Sequence, residues 1–155
     1  MEKELERLEI AKFEKGIEIA QTQPDKYSEY FTYSLSRNKR NLKNIIESIQ
    51  EVQDVTLKEY NKEYKELNEK LCDRDESGKP ISENNHYSFV EKAMEYTKAK
   101  EELDAKHKEA LDKIKAFMKE KEKVDIYIHK HAFPTLHGDI ADLLFIMREE
   151  PKEEK

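Results

Sequence analysis

The chain has 155 residues, a length that suits one domain, and 41% of them are charged, where an ordinary globule carries about a quarter. Its 35 acidic and 29 basic residues interleave to a net charge of −6, which removes any global pull toward nucleic acid or anionic lipid. Cys72 is the one cysteine, which excludes an intramolecular disulfide, and the longest apolar stretch, Ala141–Met147 interrupted by Asp142, is too short to span a bilayer.

Such a charge density fits either disorder or long helices that each bury a narrow stripe. The apolar residues recur with helical period, which selects the helices. Glu4 to Ala20 predict a first helix with Ile10, Phe13, Ile17 and Ala20 on one face; Gly16 weakens its second half and Pro24 ends it. A long helix follows, in which Phe31, Leu35, Asn38, Leu42, Ile45, Ile49 and Val52 alternate steps of four and three as in a heptad seam. From Val52 through Thr56, Tyr60, Tyr64, Leu67 and Leu71 the steps shift toward four, an inserted residue that should locally relax a supercoil. Glu29–Leu35 has aromatic and Thr content that would also suit a strand, and whether it is helix or strand stays open.

Asp73 to Tyr87 read as a polar loop, and a second helix is expected from about Ser88 to Lys121. Its seam runs Phe89, Ala93, Tyr96, Lys100, Leu103, His107, Ala110, Ile114, Phe117, with Lys100 and His107 as polar members. Folding the two helices back on each other would bury both stripes in an arm of roughly 50 Å at ~1.5 Å per residue. Val124, Ile126 and Ile128 then alternate with polar neighbours as in a half-buried strand running to His129. Such a strand needs a partner: Glu29–Ser34, Gly16–Gln21, or the same strand of a second copy, which would make a homodimer. A short helix, about His137 to Arg148, presents Ile140, Leu143, Leu144 and Met147, and residues 149–155 form a charged tail.

The expected fold is therefore mainly α: a long antiparallel two-helix coiled-coil hairpin on a small base of N-terminal helix, short strand or strands and C-terminal helix. Its single domain divides into residues 1–24, 25–121, 122–148 and 149–155. Met1–Glu6 alternate acid and base with no apolar segment, so no signal peptide is expected and a soluble, cytoplasmic protein is.

Chemistry is sparse. Asp73, Asp75, Ser77 and Gly78 open like an EF-hand loop, but Pro80 takes the eighth place and Asn84 the twelfth, where a bidentate Glu belongs. His129 and His131, with His137 beyond, have spacing that would suit a transition metal; no cysteine accompanies them, and solvated histidines on a strand face are the plainer reading. Arg37, Lys39, Arg40 and Lys43 form the one concentrated basic patch, beside Tyr27, Tyr30 and Tyr33, and with Tyr127 they are the candidate partner-binding residues. Basic side chains beside aromatics also suit single-stranded nucleic acid, against which the surrounding acidic excess counts. No Gly-rich phosphate loop, Ser-His-Asp or Cys-His signature is present, and so thin a scaffold is expected to lack a concave pocket. No catalytic, cofactor-binding or metal-binding residue and no small-molecule substrate is assigned.

Three stretches carry a resemblance: Tyr33 to Leu42 (YSLSRNKRNL), the acidic turn Asp73–Pro80, and Glu122 to Ile128 (EKVDIYI) followed by Ala141 to Met147 (ADLLFIM). Together they resemble a family of small uncharacterised tailed-bacteriophage proteins over about residues 27 to 147, with a longer second helix and no counterpart to residues 1 to 24. The resemblance implies a phage or prophage origin and action inside the host bacterial cell, and it implies no catalytic residues. On these grounds we expect a non-enzymatic phage-encoded protein that binds proteins, either an assembly factor or an inhibitor of a host or defence protein. The alternative is a nucleic-acid-binding or metal-binding accessory module using Arg37–Lys43 or His129, His131 and His137.

Overall fold

A computed structural model describes residues 1–84 and 86–149 of the chain; all but Glu149 of the expected tail lies outside them. The protein is mainly helical, with small antiparallel strand pairs. Its residues divide into two compact units, Met1–Glu51 with Ala116–Lys155, and Val52–Lys115.

The first unit begins with a strand that the sequence did not announce. β1 (Glu2–Glu6) pairs antiparallel with β4 (Lys121–Asp125), so neither Glu29–Ser34 nor Gly16–Gln21 is its partner within the chain. The register sets Glu4 opposite Lys123 and Glu6 opposite Lys121, and opposite charges facing each other across an antiparallel pair favour that alignment. The strand once expected to run on to His129 stops at Asp125. Ile126 still donates its N–H to the Met1 carbonyl at 2.9 Å, but beyond it the backbone turns to a side chain on α2.

α1 (Arg7–Gln21) starts three residues later than expected, behind a capping box in which the Glu6 N–H donates to the Glu9 carboxylate at 2.8 Å. Its stripe is as read: Ile10, Phe13, Ile17 and Ala20 are all buried. α2 (Glu29–Thr56) includes Glu29–Leu35, so that segment is helix; Phe31, Leu35 and Leu42 face the same core. Val124, Ile126, Leu144 and Met147 complete it. Fully burying each of these side chains contributes on the order of 1.5–3 kcal/mol. The seam of α2 is buried at Ile49 but largely exposed at Val52.

The C-terminal helix is shorter than expected: α6 (Asp139–Leu144) tightens into a 3₁₀ turn, Phe145–Met147. It crosses α1 at Gly16, where an added Cβ would lie 2.7 Å from the Leu143 Cβ, so glycine here permits the close approach. Arg7 fixes the start of α1. It donates to Glu120 at 2.6 Å, to Glu122 at 2.8 Å and to the Phe117 carbonyl at 3.1 Å, and its guanidinium lies 3.9 Å from the centre of the Phe117 ring.

In the second unit the two expected long helices are each interrupted by one residue. α2 gives way to α3 (Lys58–Leu71) at Leu57, and α4 (Ala93–Lys106) to α5 (Lys108–Lys119) at His107. Leu57 sits where the steps of four begin, and it absorbs the extra residue with φ −101° and ψ 12°. The helical hydrogen-bond ladder runs on through it, since the Leu57 N–H still donates to Gln53 at 2.9 Å and its carbonyl still accepts from Asn61 at 2.7 Å. The second helix also begins at Ala93, five residues beyond the expected Ser88, because the described residues before it form a structured loop with the strand pair β2 (Ser82–Glu83) and β3 (His86–Tyr87). α3 and α4 run in opposite directions, as Tyr60 bonding Asp104 and Tyr64 bonding Tyr96 require.

Candidate functional site

The site is built on the first turns of α2. Phe31, Ser34, Leu35 and Asn38 bury one face, so helical spacing turns Tyr30, Tyr33 and Arg37 outward. Tyr30 is 63% exposed and Tyr33 53% exposed. Asn38 then brings in the fourth member. Its Nδ2 donates to the Tyr127 carbonyl at 2.9 Å and its Oδ1 accepts the Tyr127 N–H at 2.7 Å, while Asn41 donates to the Asp125 carbonyl at 2.9 Å. This double clamp replaces a neighbouring strand and holds the Tyr127 ring edge-on to Tyr33, with centroids 5.6 Å apart. Arg37 donates from Nη1 to the Tyr33 hydroxyl at 3.2 Å, and its guanidinium carbon lies 5.7 Å from the Tyr127 ring centre. A cation held over an aromatic face at such an exposed position contributes about 0.5–1 kcal/mol.

Next to this cluster is a cavity of about 610 Å³, a concave feature that the thin scaffold was not expected to carry. Tyr127 and Ile128 contribute its apolar wall above the fully buried Ile126, and Lys3, Arg37, Lys130 and Arg148 set four cationic groups against the carboxylates of Asp125 and Glu149. Lys3 is held by donating to the Ile146 carbonyl at 3.2 Å, and Arg148 lies 5.8 Å from the Phe133 ring centre. Lys3, Lys130 and Arg148 escaped the sequence reading, since they are isolated in the chain and meet only through the β1–β4 pairing and the His129–Arg148 bridge.

Among the sequence candidates the structure gathers Tyr33, Arg37 and Tyr127, with Tyr30 one turn before Tyr33 and stacked on His131. The others part company. Tyr27 packs against Phe31 at 5.1 Å on the edge of the core. Lys39 reaches back to α1, 3.7 Å from Glu18 and 3.5 Å from Gln21. Lys43 pairs with Glu47 at 3.9 Å on its own helix, and Arg40 is exposed.

The histidines separate as well. His129 is buried rather than on a solvated strand face, and its Nδ1 lies 2.8 Å from the Ser34 hydroxyl. The same hydroxyl also lies 2.9 Å from the Tyr30 carbonyl, so Ser34 links the ring to the α2 backbone. Burial pulls the His129 imidazole below its ordinary value. His131 stacks on Tyr30 with centroids 4.1 Å apart, and His137 is exposed. Among the described residues no three His, Cys, Asp or Glu side chains are grouped to hold a metal.

In the acidic loop both candidate calcium ligands serve the chain itself. Asp73 accepts from the Ser88 hydroxyl at 2.6 Å and from the N–H groups of Val90 at 2.7 Å and Glu91 at 3.1 Å. Asp75 Oδ1 accepts from Ser77 and from the Lys79 N–H at 3.0 Å. The Ser88 bond to Asp73 and the Ser77 bond to Asp75 hold both carboxyls below the usual carboxylate range. The polar members of the second seam are likewise satisfied. Burial works against the Lys100 ammonium, but its bonds to Asp104 at 2.7 Å and the Tyr60 hydroxyl at 2.8 Å outweigh it and raise its pKa. His107 lies 3.3 Å from Glu63. Tyr96, pushed up to about 12 by burial and by the Tyr64 hydroxyl, stacks on Phe89 at 3.9 Å. Lys100, Tyr96 and His107 thus tie the second helix to α3.

No helix among the described residues is long and apolar enough to cross a membrane. Comparison with protein-family models, with curated proteins and with solved structures gave no match.

Proposed function

We propose that this protein works by binding another protein, without chemistry of its own, and that the face carrying Tyr30, Tyr33, Arg37 and Tyr127 is where it does so. The observation that supports this is the exposure of two tyrosines beside a fixed arginine–tyrosine pair, since Tyr and Arg are the residue types most enriched at binding hot spots. The cluster is preorganised: the Asn38 clamp fixes the Tyr127 backbone before any partner arrives, which lowers the ordering cost of association. The second unit, read as a charged two-helix coiled-coil hairpin, spends its Tyr, Lys and Asp side chains on its own pairing.

On the resemblance to small tailed-phage proteins, the role is that of an assembly factor or an inhibitor of a host or defence protein inside the bacterial cell. Capture from bacterial lysate tests it. A partner retained by the intact chain and lost on Tyr33→Ala, with the helical circular dichroism unchanged, is the expected result. A partner held equally by Tyr33→Ala and by Arg37→Ala, and lost instead on changes in residues 73–92, would move the interface to the other unit.

A further inference from the structure

We infer that the cavity beside Tyr127 receives an acidic segment of the partner protein, a carboxylate side chain set among Lys3, Arg37, Lys130 and Arg148 with its stem against Ile128 and the Tyr127 ring. This rests on the binding role proposed above and names the chemistry of what is bound. Charge is the first reason. Four cations face two carboxylates here, in a chain whose overall charge is −6, so a local positive field has been assembled against the general trend. The residue types are the second. Arginine presents a planar fork that matches a carboxylate, and the adjoining aliphatic wall accepts methylenes, which suits Glu beside an apolar neighbour.

Size and stacking separate an acidic peptide from nucleic acid. The volume, about 610 Å³, lies within the range of ligand clefts and holds a few side chains rather than a strand that tracks along a long groove. Single-strand binding needs open aromatic faces for bases to stack on. Here the face of Tyr30 is taken by His131 at 4.1 Å, and Tyr127 has Tyr33 against it and Arg37 over it.

The test uses the full chain and two fluorescein-labelled peptides, one alternating Glu with Leu and its counterpart alternating Gln with Leu, read by fluorescence polarisation at low salt. The Glu peptide should bind, weakening as salt rises, and the Gln peptide should bind at least about tenfold more weakly. The double variant Arg37→Gln with Lys130→Gln should lose about tenfold in affinity for the Glu peptide; both side chains are exposed, so packing is preserved. Lys58→Gln with Lys65→Gln makes the same change in net charge at residues that do not line the cavity and should weaken binding less than about twofold. Equal binding of the two peptides, an equal loss in the remote variant, or tighter binding of oligothymidylate or inorganic phosphate would each overturn the inference. The outcomes also separate it from the broader role. A lysate partner that survives the Arg37, Lys130 variant but is lost on Tyr33→Ala leaves the binding role standing and removes the acid pocket.

Discussion

Asn38→Ala tests the joint on which the site depends. The asparagine is fully buried and makes two hydrogen bonds with one residue, giving a proton to the Tyr127 carbonyl at 2.9 Å and taking one from its N–H at 2.7 Å. Truncation leaves a donor and an acceptor unpaired, each costing about 1–3 kcal/mol when water cannot replace the partner. Tyr127 is half-buried and water can partly reach it, so we expect the lower part of that range, about 2–4 kcal/mol in total. Hydrogen exchange of the Tyr127 amide reads the loss locally, and 2 kcal/mol corresponds to about 30-fold faster exchange at ~1.36 kcal/mol per decade. Urea denaturation followed by circular dichroism gives the global figure. Asn44→Ala, exposed on the same helix, should change neither measurement. Asn38→Asp adds a sign check. At neutral pH its carboxylate can accept from the Tyr127 N–H but cannot donate to the carbonyl; on protonation the acid regains a donor, so this variant should recover relative to Asn38→Ala as pH falls. A Tyr127 amide that exchanges at the unmodified rate in Asn38→Ala would refute the clamp.

Gly16→Ala should destabilise by about 1–3 kcal/mol although alanine is the better helix former, because its Cβ would sit 2.7 Å from the Leu143 Cβ; a raised melting temperature would show that α6 does not press on α1 as described. Stability should be level near neutrality and fall as pH drops below the ordinary imidazole range. The unfolded chain then takes up a proton that the buried His129, with its lowered pKa, resists, and His129→Leu should flatten that step. Asp73, Asp75 and Asp104 are all held below the usual carboxylate range, so their stabilisation is present above that range and is lost as pH falls through their folded values. That second, more acidic loss should therefore persist in His129→Leu, and a pH series of urea midpoints showing one merged transition removed by the substitution would count against it.

The stripe Ile10, Phe13, Ile17, Ala20 and the seam from Phe31 to Ile49 were legible because a helix repeats its buried face every three or four residues, and local spacing carries that signal. The one-residue break at Leu57 falls where the steps shift to four, although the spacing was read as one continuous helix. β1 was not, because Glu-Lys-Glu-Leu-Glu lacks the β-branched and aromatic side chains that mark strands; its pairing is set by charges on a segment more than a hundred residues away. Asn38 was visible as a seam position, but spacing cannot tell that a polar seam residue serves as a clamp on a distant backbone. The strand ending at Asp125 has the same origin, since the side chain that takes over at Tyr127 lies on α2. Tyr33, Arg37 and Tyr127 were picked by residue type, and the cavity beside them was hidden because its cations come from four separate places in the chain.

The β1–β4 ladder also constrains the order in which the chain can take shape. Residues 2–6 find their hydrogen-bonding partners only at residues 121–125, so on the ribosome the first strand must wait until nearly the whole chain has emerged. The intervening unit, Val52–Lys115, is continuous in sequence and is held together by contacts between residues that leave the ribosome early. Its helices can form during that wait and, by folding, shorten the span that closure of the first unit must bridge. Until then α1 carries Ile10, Phe13 and Ile17 uncovered by Val124, Ile126, Leu144 and Met147. The nascent chain thus has an exposed apolar stripe for most of its synthesis, an interval in which a holding chaperone would find its grip at the N-terminus.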